Sequence, residues 1–146
     1  MGAPARLIDL SVAWSRERAA RLTSPIGTDA YMAPEQCLAG TGGTPGPGAD
    51  MWGVGATLFH ALAGYRSFDR GSADQSTNPA LRWPQLVDDP YELPVQITDD
   101  VAKPVLACLH RDPALRPSPI ELAEAFEPMM AALPKPRLSG FKISSR

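Results

Sequence analysis

Lysine is nearly missing from this chain. Lys103, Lys135 and Lys142 are the only lysines among 14 basic residues, so none occurs in the first 102 positions. Asparagine occurs once, at Asn78; histidine twice, at His60 and His110; cysteine twice, at Cys37 and Cys108. Each scarcity excludes something. Two histidines and no C-x-x-C spacing leave too few ligands for a zinc site. Two isolated cysteines form no disulfide framework and suit a reduced, cytoplasmic protein. A net charge of -2 and a pI near 5.6 supply no basic face, so neither nucleic acid nor a membrane surface is an expected partner. The longest apolar run, Met51 to Tyr65, is broken by His60 and falls short of the ~20 residues that span a bilayer. The opening MGAPARLIDL holds no extended apolar segment, so no secretory signal is expected, and it lacks the Ser or Thr of a myristoylation signal.

What is present is a globular composition. The 146 residues are 44% hydrophobic and 21% charged, which suits one domain burying roughly 68–70% of its unfolded surface. Proline is abundant at 16 residues, about twice the usual ~5% share. Short elements joined by ordered loops follow from that.

The pattern along the chain is mainly helical. Residues 6–13, RLIDLSVA, alternate enough to predict a short strand ending near Asp9. Residues 14–30 are polar and Arg-rich and predict a loop. A short helix is expected from Met32 to Leu38, with Pro34 in its first turn. The stretch GTGGTPGPG, 40–48, lacks the Lys-Ser/Thr of a phosphate-cradling loop and reads as a surface turn. Residues 49–64 are apolar on every face and end at Gly64, which predicts a helix buried all round. Residues 65–97 predict loop with one helical turn near Trp83–Val87. Thr98 can cap a helix running to about His110, with Pro104 inside it. Ser118-Pro119-Ile120-Glu121 is a capping box, and Leu122, Phe126, Met129 and Leu133 follow at core spacing. A domain over 1–133 and a tail over 134–146 are expected.

Four stretches stand in a telling order: LIDLSVA, GTDAYMAPEQ at 27–36, ADMWGVGATLF at 49–59 and HRDPALRPS at 110–118. Together they resemble the C-terminal lobe of a serine/threonine protein kinase of bacterial type. The resemblance covers residues 6 to about 133. It implies a mainly α, kinase-like C-lobe: a short N-terminal strand, an activation-loop segment and about four to five helices.

Roles follow by resemblance. Asp9 matches the D-F-G aspartate that holds Mg²⁺ against the ATP phosphates; here the motif reads Asp-Leu-Ser, with Ser11 in place of the glycine. Gly27, Thr28 and Tyr31 match the substrate-facing segment, with Thr28 in the place of a threonine that bonds the catalytic base. Thr23 and Ser24 lie where activation-loop phosphates are added, with Arg16, Arg18 and Arg21 as candidate partners. Ala33-Pro34-Glu35 is intact, and Glu35 is implied to pair with Arg116. Asp50 matches a residue that bonds the catalytic-loop backbone, and Trp52 belongs to the same D-x-W motif.

The triplet His110-Arg111-Asp112 imitates the kinase catalytic loop. Pro113 follows it and no asparagine comes after, so the H-R-D-L-x-x-x-x-N pattern fails. In the family the glycine-rich cover, the ATP lysine and the catalytic-loop Asp and Asn precede D-F-G, and only eight residues precede Asp9 here. The chain is therefore expected to be a partial kinase domain, inactive in isolation, with ATP and Mg²⁺ as family cofactors it does not bind alone. A non-catalytic, pseudokinase-like interaction lobe is the alternative. A protein substrate or a partner kinase is the expected partner. Without the helix that packs the buried segment in the family, Trp52, Leu58 and Phe59 are expected to lie open, leaving the lobe marginally stable or prone to associate.

Overall fold

In the computed structural model, residues 8–72 and 78–132 are described. Six α-helical segments follow one another: α1 Arg16–Ala19, α2 Pro34–Cys37, α3 Pro47–Ala63, α4 Pro79–Arg82, α5 Asp99–Cys108 and α6 Pro119–Ala132. Three of them, α1, α2 and α4, are single turns. 3₁₀ turns lie at Asp29–Tyr31, Pro84–Leu86 and Pro113–Leu115. The fold is mainly α. The strand expected over 6–13 is absent from its described part: residues 8–10 are irregular and 11–12 form a turn. A strand needs a neighbour to hydrogen-bond, and among the described residues the one bridge is isolated, between Ala39 and Gly43.

The core is built where α3 packs on α5. Gly55 on α3 lies against Cys108, Val105 and Leu109 of α5, so closely that a Cβ there would stand 2.5 Å from the Cys108 Cβ. Phe59, Val105 and Leu109 fill the centre. Trp52 stacks on Phe68, ring centroids 5.5 Å apart at 9°. α3 stops where Gly64 takes the left-handed conformation, φ 79°, and donates its N–H to the His60 carbonyl.

Two expectations about α3 are overturned. The helix is not buried all round: Asp50, Val54, Thr57 and Ala61 form an exposed stripe at helical spacing. Nor are Trp52 and Phe59 open; they are 1% and 0% exposed, while Leu58 is half-buried. The chain covers them itself, because Phe68 and the face of α5 occupy the side that was expected to lie bare.

α5 begins after Thr98, whose carbonyl accepts from the Val101 and Ala102 N–H groups; its side chain makes no capping bond, contrary to expectation. α6 has the reciprocal capping box: Glu121 Oε2 accepts the Ser118 N–H at 2.7 Å, and Ser118 Oγ accepts the Glu121 N–H at 3.3 Å. Leu122 is buried and Phe126 and Met129 are half-buried; Leu133 and the tail lie outside the described residues. No helix among the described residues is long and apolar enough to cross a membrane.

Candidate functional site

Arg116 is the most heavily hydrogen-bonded side chain among the described residues. Its Nη1 and Nη2 donate to Glu35 Oε1 and Oε2 at 2.7 and 2.9 Å, a bidentate pair. Nη1 also donates to the Gly48 carbonyl at 2.8 Å, Nε to the His110 carbonyl at 2.7 Å, and Nη2 to the Arg111 carbonyl at 3.2 Å. All five guanidinium donors are thereby used. The guanidinium lies 5.0 Å from the Trp52 ring centroid. One residue thus joins α2, the first turn of α3 and the 110–112 turn. Its side chain is 0% exposed and that of Glu35 11%.

The H-R-D triplet serves this clasp. His110 and Arg111 offer it their carbonyls. The Arg111 side chain donates to the Val87 and Asp88 carbonyls, both at 3.1 Å. Asp112 Oδ1 accepts the Ala114 N–H at 2.9 Å and caps the 3₁₀ turn that follows.

Asp9 sits differently. It is exposed, at φ 58°, a backbone region uncommon for residues other than glycine. Its Oδ1 accepts from the Ser11 hydroxyl at 2.7 Å and more weakly from the Ser11 N–H at 3.4 Å. Those bonds hold its carboxyl below its ordinary value. Among the described residues no group of three His, Cys, Asp or Glu side chains could hold a metal ion. One exposed carboxylate with an oxygen already engaged does not fit a complete Mg²⁺–ATP site. Asp50 is exposed in the first turn of α3, beside a cleft of about 220 Å³ that Trp14, Gln36 and Pro47 also line. Thr23 and Ser24 are exposed on the turn after α1, while Arg18 lies over the Trp14 ring at 4.3 Å.

The segment Gly27–Tyr31 is held at two points. Tyr31 Oη and His60 Nδ1 share a hydrogen bond of 2.7 Å. Asp29 accepts from Arg82 Nε and Nη2 at 3.1 and 3.3 Å, and from the Trp83 indole N–H at 3.0 Å. Burial pushes the Asp29 carboxyl up, but the bonds from Trp83 and Arg82 outweigh it and hold the group below its ordinary value. Beneath, the buried Gln85 donates Nε2 to the Asp29 and Met32 carbonyls at 2.8 and 3.1 Å. Burial pushes the neighbouring Cys37 thiol up to about 12, so it is protonated and inert at neutral pH.

Gly27, Thr28, Asp29 and Ala30 form one wall of an open groove of about 410 Å³; Arg66–Ser72 with Arg82 and Gln85 form much of the rest. Asp29, His60, Arg82, Trp83 and Gln85 are absent from the residues singled out in the sequence. Asp29 lies inside the GTDAYMAPEQ stretch without an assigned role there and the other four lie outside the motifs; their partners lie 29 to 56 positions away, so no local signal marks these ties.

Comparison with known proteins places this geometry. Residues 2–126 match the model of the family described as "Protein kinase domain". The chain is 35% identical over 119 residues to "Probable serine/threonine-protein kinase PkwA" of Thermomonospora curvata, a match covering 80% of this chain and 15% of that protein. It is 33% identical over 82 residues to "Serine/threonine-protein kinase tricornered" of Drosophila melanogaster, covering 56% and 17%. With "Serine/threonine-protein kinase PknK" of Mycobacterium tuberculosis it shares 34% over 94 residues, covering 63% and 8%. The chain thus spans less than a fifth of the length of each of these curated relatives.

Proposed function

The chain belongs to the protein kinase domain family, and we propose that it forms the substrate-holding part of a serine/threonine protein kinase. The activity it serves is ATP-dependent phosphorylation of protein serine and threonine. The observation that carries this reading is the segment Gly27–Tyr31, tied down through Asp29 and Tyr31 and walling an open groove. A groove built on fixed backbone suits an extended peptide, because positioning supplies much of the catalysis in phosphoryl transfer. Thr28 lies in that wall, where the acceptor hydroxyl would approach.

The 146 residues do not perform the transfer alone. ATP and Mg²⁺ are the family's cofactors; when bound they supply the phosphoryl group and the charge that stabilises its transfer. The residues here do not complete a site for them, and no lysine precedes Lys103. Titration calorimetry of the chain with Mg-ATP should detect no binding. Micromolar affinity, or phosphate transferred to a Ser/Thr peptide, would sink this account.

A second reading, a non-catalytic lobe that binds a partner protein, draws on one observation: the Ser11 hydroxyl occupies an oxygen of Asp9. A chimera separates the two. Fused behind the glycine-rich lobe and catalytic loop of a relative, the chain should support Ser/Thr phosphorylation that Asp9→Asn abolishes. An inactive but folded chimera favours the interaction lobe.

A further inference from the structure

The groove beside Thr28 has a charge pattern that no motif dictates. Five charged residues line it: Asp29, Arg66, Asp69, Arg70 and Arg82. Two of the opposite charges cancel, because Arg82 binds Asp29 through two nitrogens. Asp69 keeps its charge and raises the pKa of the nearby Tyr91 hydroxyl. Against it stand Arg66 and Arg70, so the groove carries a net charge of +1. Both arginines are exposed, and neither appears in a hydrogen bond or ion pair with another described residue. Two arginines with no partner among the described residues therefore line the groove together with Gly27–Ala30.

We infer that this groove selects protein substrates carrying carboxylate side chains next to the acceptor serine or threonine, with Arg66 and Arg70 as the specificity-determining pair. A guanidinium presents its N–H groups in a fork that matches a carboxylate. A lysine- or arginine-bearing substrate would meet two like charges instead, so the groove discriminates by repulsion as well as attraction. Both arginines are solvent-exposed, so the preference is moderate and screened by salt. The Asp29–Arg82 pair is neutral as a unit, so the net positive charge of the groove comes from Arg66 and Arg70 set against Asp69.

This inference rests on the substrate-holding reading, and one experiment keeps the two apart. Three peptides share a central serine and a benzophenone photo-crosslinker and differ only in flanking residues: Glu, Gln or Lys. Each is irradiated with the full 146-residue chain, and adducts are quantified and mapped by mass spectrometry. The Glu peptide should crosslink roughly tenfold more than the Lys peptide at low salt, the Gln peptide falling between. Adducts should map to residues 27–30 and 66–72, and the order should flatten in 0.5 M salt. Arg66→Gln/Arg70→Gln should level the three peptides, and Arg66→Glu/Arg70→Glu should invert their order, with circular dichroism confirming the fold of each. Equal crosslinking of all three by the unaltered chain, or a Lys peptide in front, overturns the charge preference and leaves the groove as a peptide site. No adduct in the groove with any peptide overturns the substrate-holding reading along with it.

Discussion

The two halves of the kinase signature in this chain are built to opposite standards. At the Glu35–Arg116 clasp a buried guanidinium spends all five donors, four acceptor residues surround it and an indole ring lies against it. At Asp9 an exposed carboxylate in a left-handed turn is held by a neighbour two residues along. Ala33-Pro34-Glu35 is intact, whereas Asp9 keeps only the first letter of D-F-G. Among the described residues, Arg116 joins three parts of the chain and Asp9 is tied to Ser11 alone. The difference separates what a motif does for the fold from what it does for chemistry. A folding residue finds its partners within the lobe. A chemical residue is completed by ATP, metal and other segments, and its local surroundings need only leave it reachable.

The comparison is broken most severely at Arg116. Arg116→Ala leaves the Glu35 carboxylate buried without its partner and strands three carbonyls, those of Gly48, His110 and Arg111. Removing one partner of a buried pair typically costs about 3–5 kcal/mol, against about 5–15 kcal/mol for a whole domain. Urea denaturation should show the variant largely unfolded at 37 °C. Arg116→Lys should recover only part of the loss, since an ammonium cannot reproduce the bidentate fork. A variant within 1 kcal/mol of the parent would mean that the clasp is decoration.

How much of this was legible in the sequence follows the same division. The Glu35–Arg116 pair was implied by the family resemblance, whereas its ties to the Gly48, His110 and Arg111 carbonyls were not foreseen. The long helices were legible from apolar patterning, Gly64, Thr98 and the Ser118 box, although α3 begins at Pro47, two residues before the expected start. The open face expected on α3 exists but on other residues: Asp50, Val54, Thr57 and Ala61 lie exposed, while Trp52 and Phe59 pack in the core with Phe68 and α5. The predicted strand failed because alternation marks a capacity to pair, and pairing needs a neighbour that periodicity does not reveal. The ties at Asp29 were out of reach, since a charge in a loop carries no sign of an arginine and an indole more than 50 residues away.

A second break falls on the core contact between α3 and α5. Gly55→Ala would bring a methyl within 2.5 Å of the Cys108 Cβ and 3.2 Å of the Val105 carbonyl. Overpacking of this kind typically costs about 1–3 kcal/mol, although alanine itself favours the helix by somewhat less. A net loss of melting temperature is the expected reading. Pairing it with Cys108→Gly, which withdraws the blocking atom, should return part of the loss in a double-mutant cycle.

A smaller effect belongs to Asp29. Its carboxyl titrates lower in the folded chain than in the unfolded one. Such a group adds stability above its unfolded pKa, and the contribution fades as the pH falls through the folded value. Its side chain and that of Arg82 are 46% and 49% exposed, so water screens the pair. Asp29→Asn should therefore cost no more than about 1 kcal/mol at neutral pH, and the difference from the parent should begin to shrink as the pH falls below about 4 and continue to shrink as it passes through the lower folded value. A gap that does not shrink at all with falling pH would assign the effect to the Trp83 bond and not to charge.

The smallest effect is expected at Asp9, and it sharpens the comparison more than the larger ones. Asp9→Asn and Ser11→Gly alter exposed groups whose only mutual partner is two residues away. Surface changes of this sort usually stay within about 0.5 kcal/mol, so both variants should melt with the parent. The two substitutions part company in function. In the chimera that supplies the missing segments, Ser11→Gly frees the Asp9 oxygen from its hydroxyl and should raise phosphotransfer, while Asp9→Asn should abolish it. Equal melting with opposite effects on transfer would place Asp9 wholly on the chemical side of the signature. A Ser11→Gly variant that leaves the chimera's activity unchanged would instead show that the Ser11 bond yields freely whenever metal arrives.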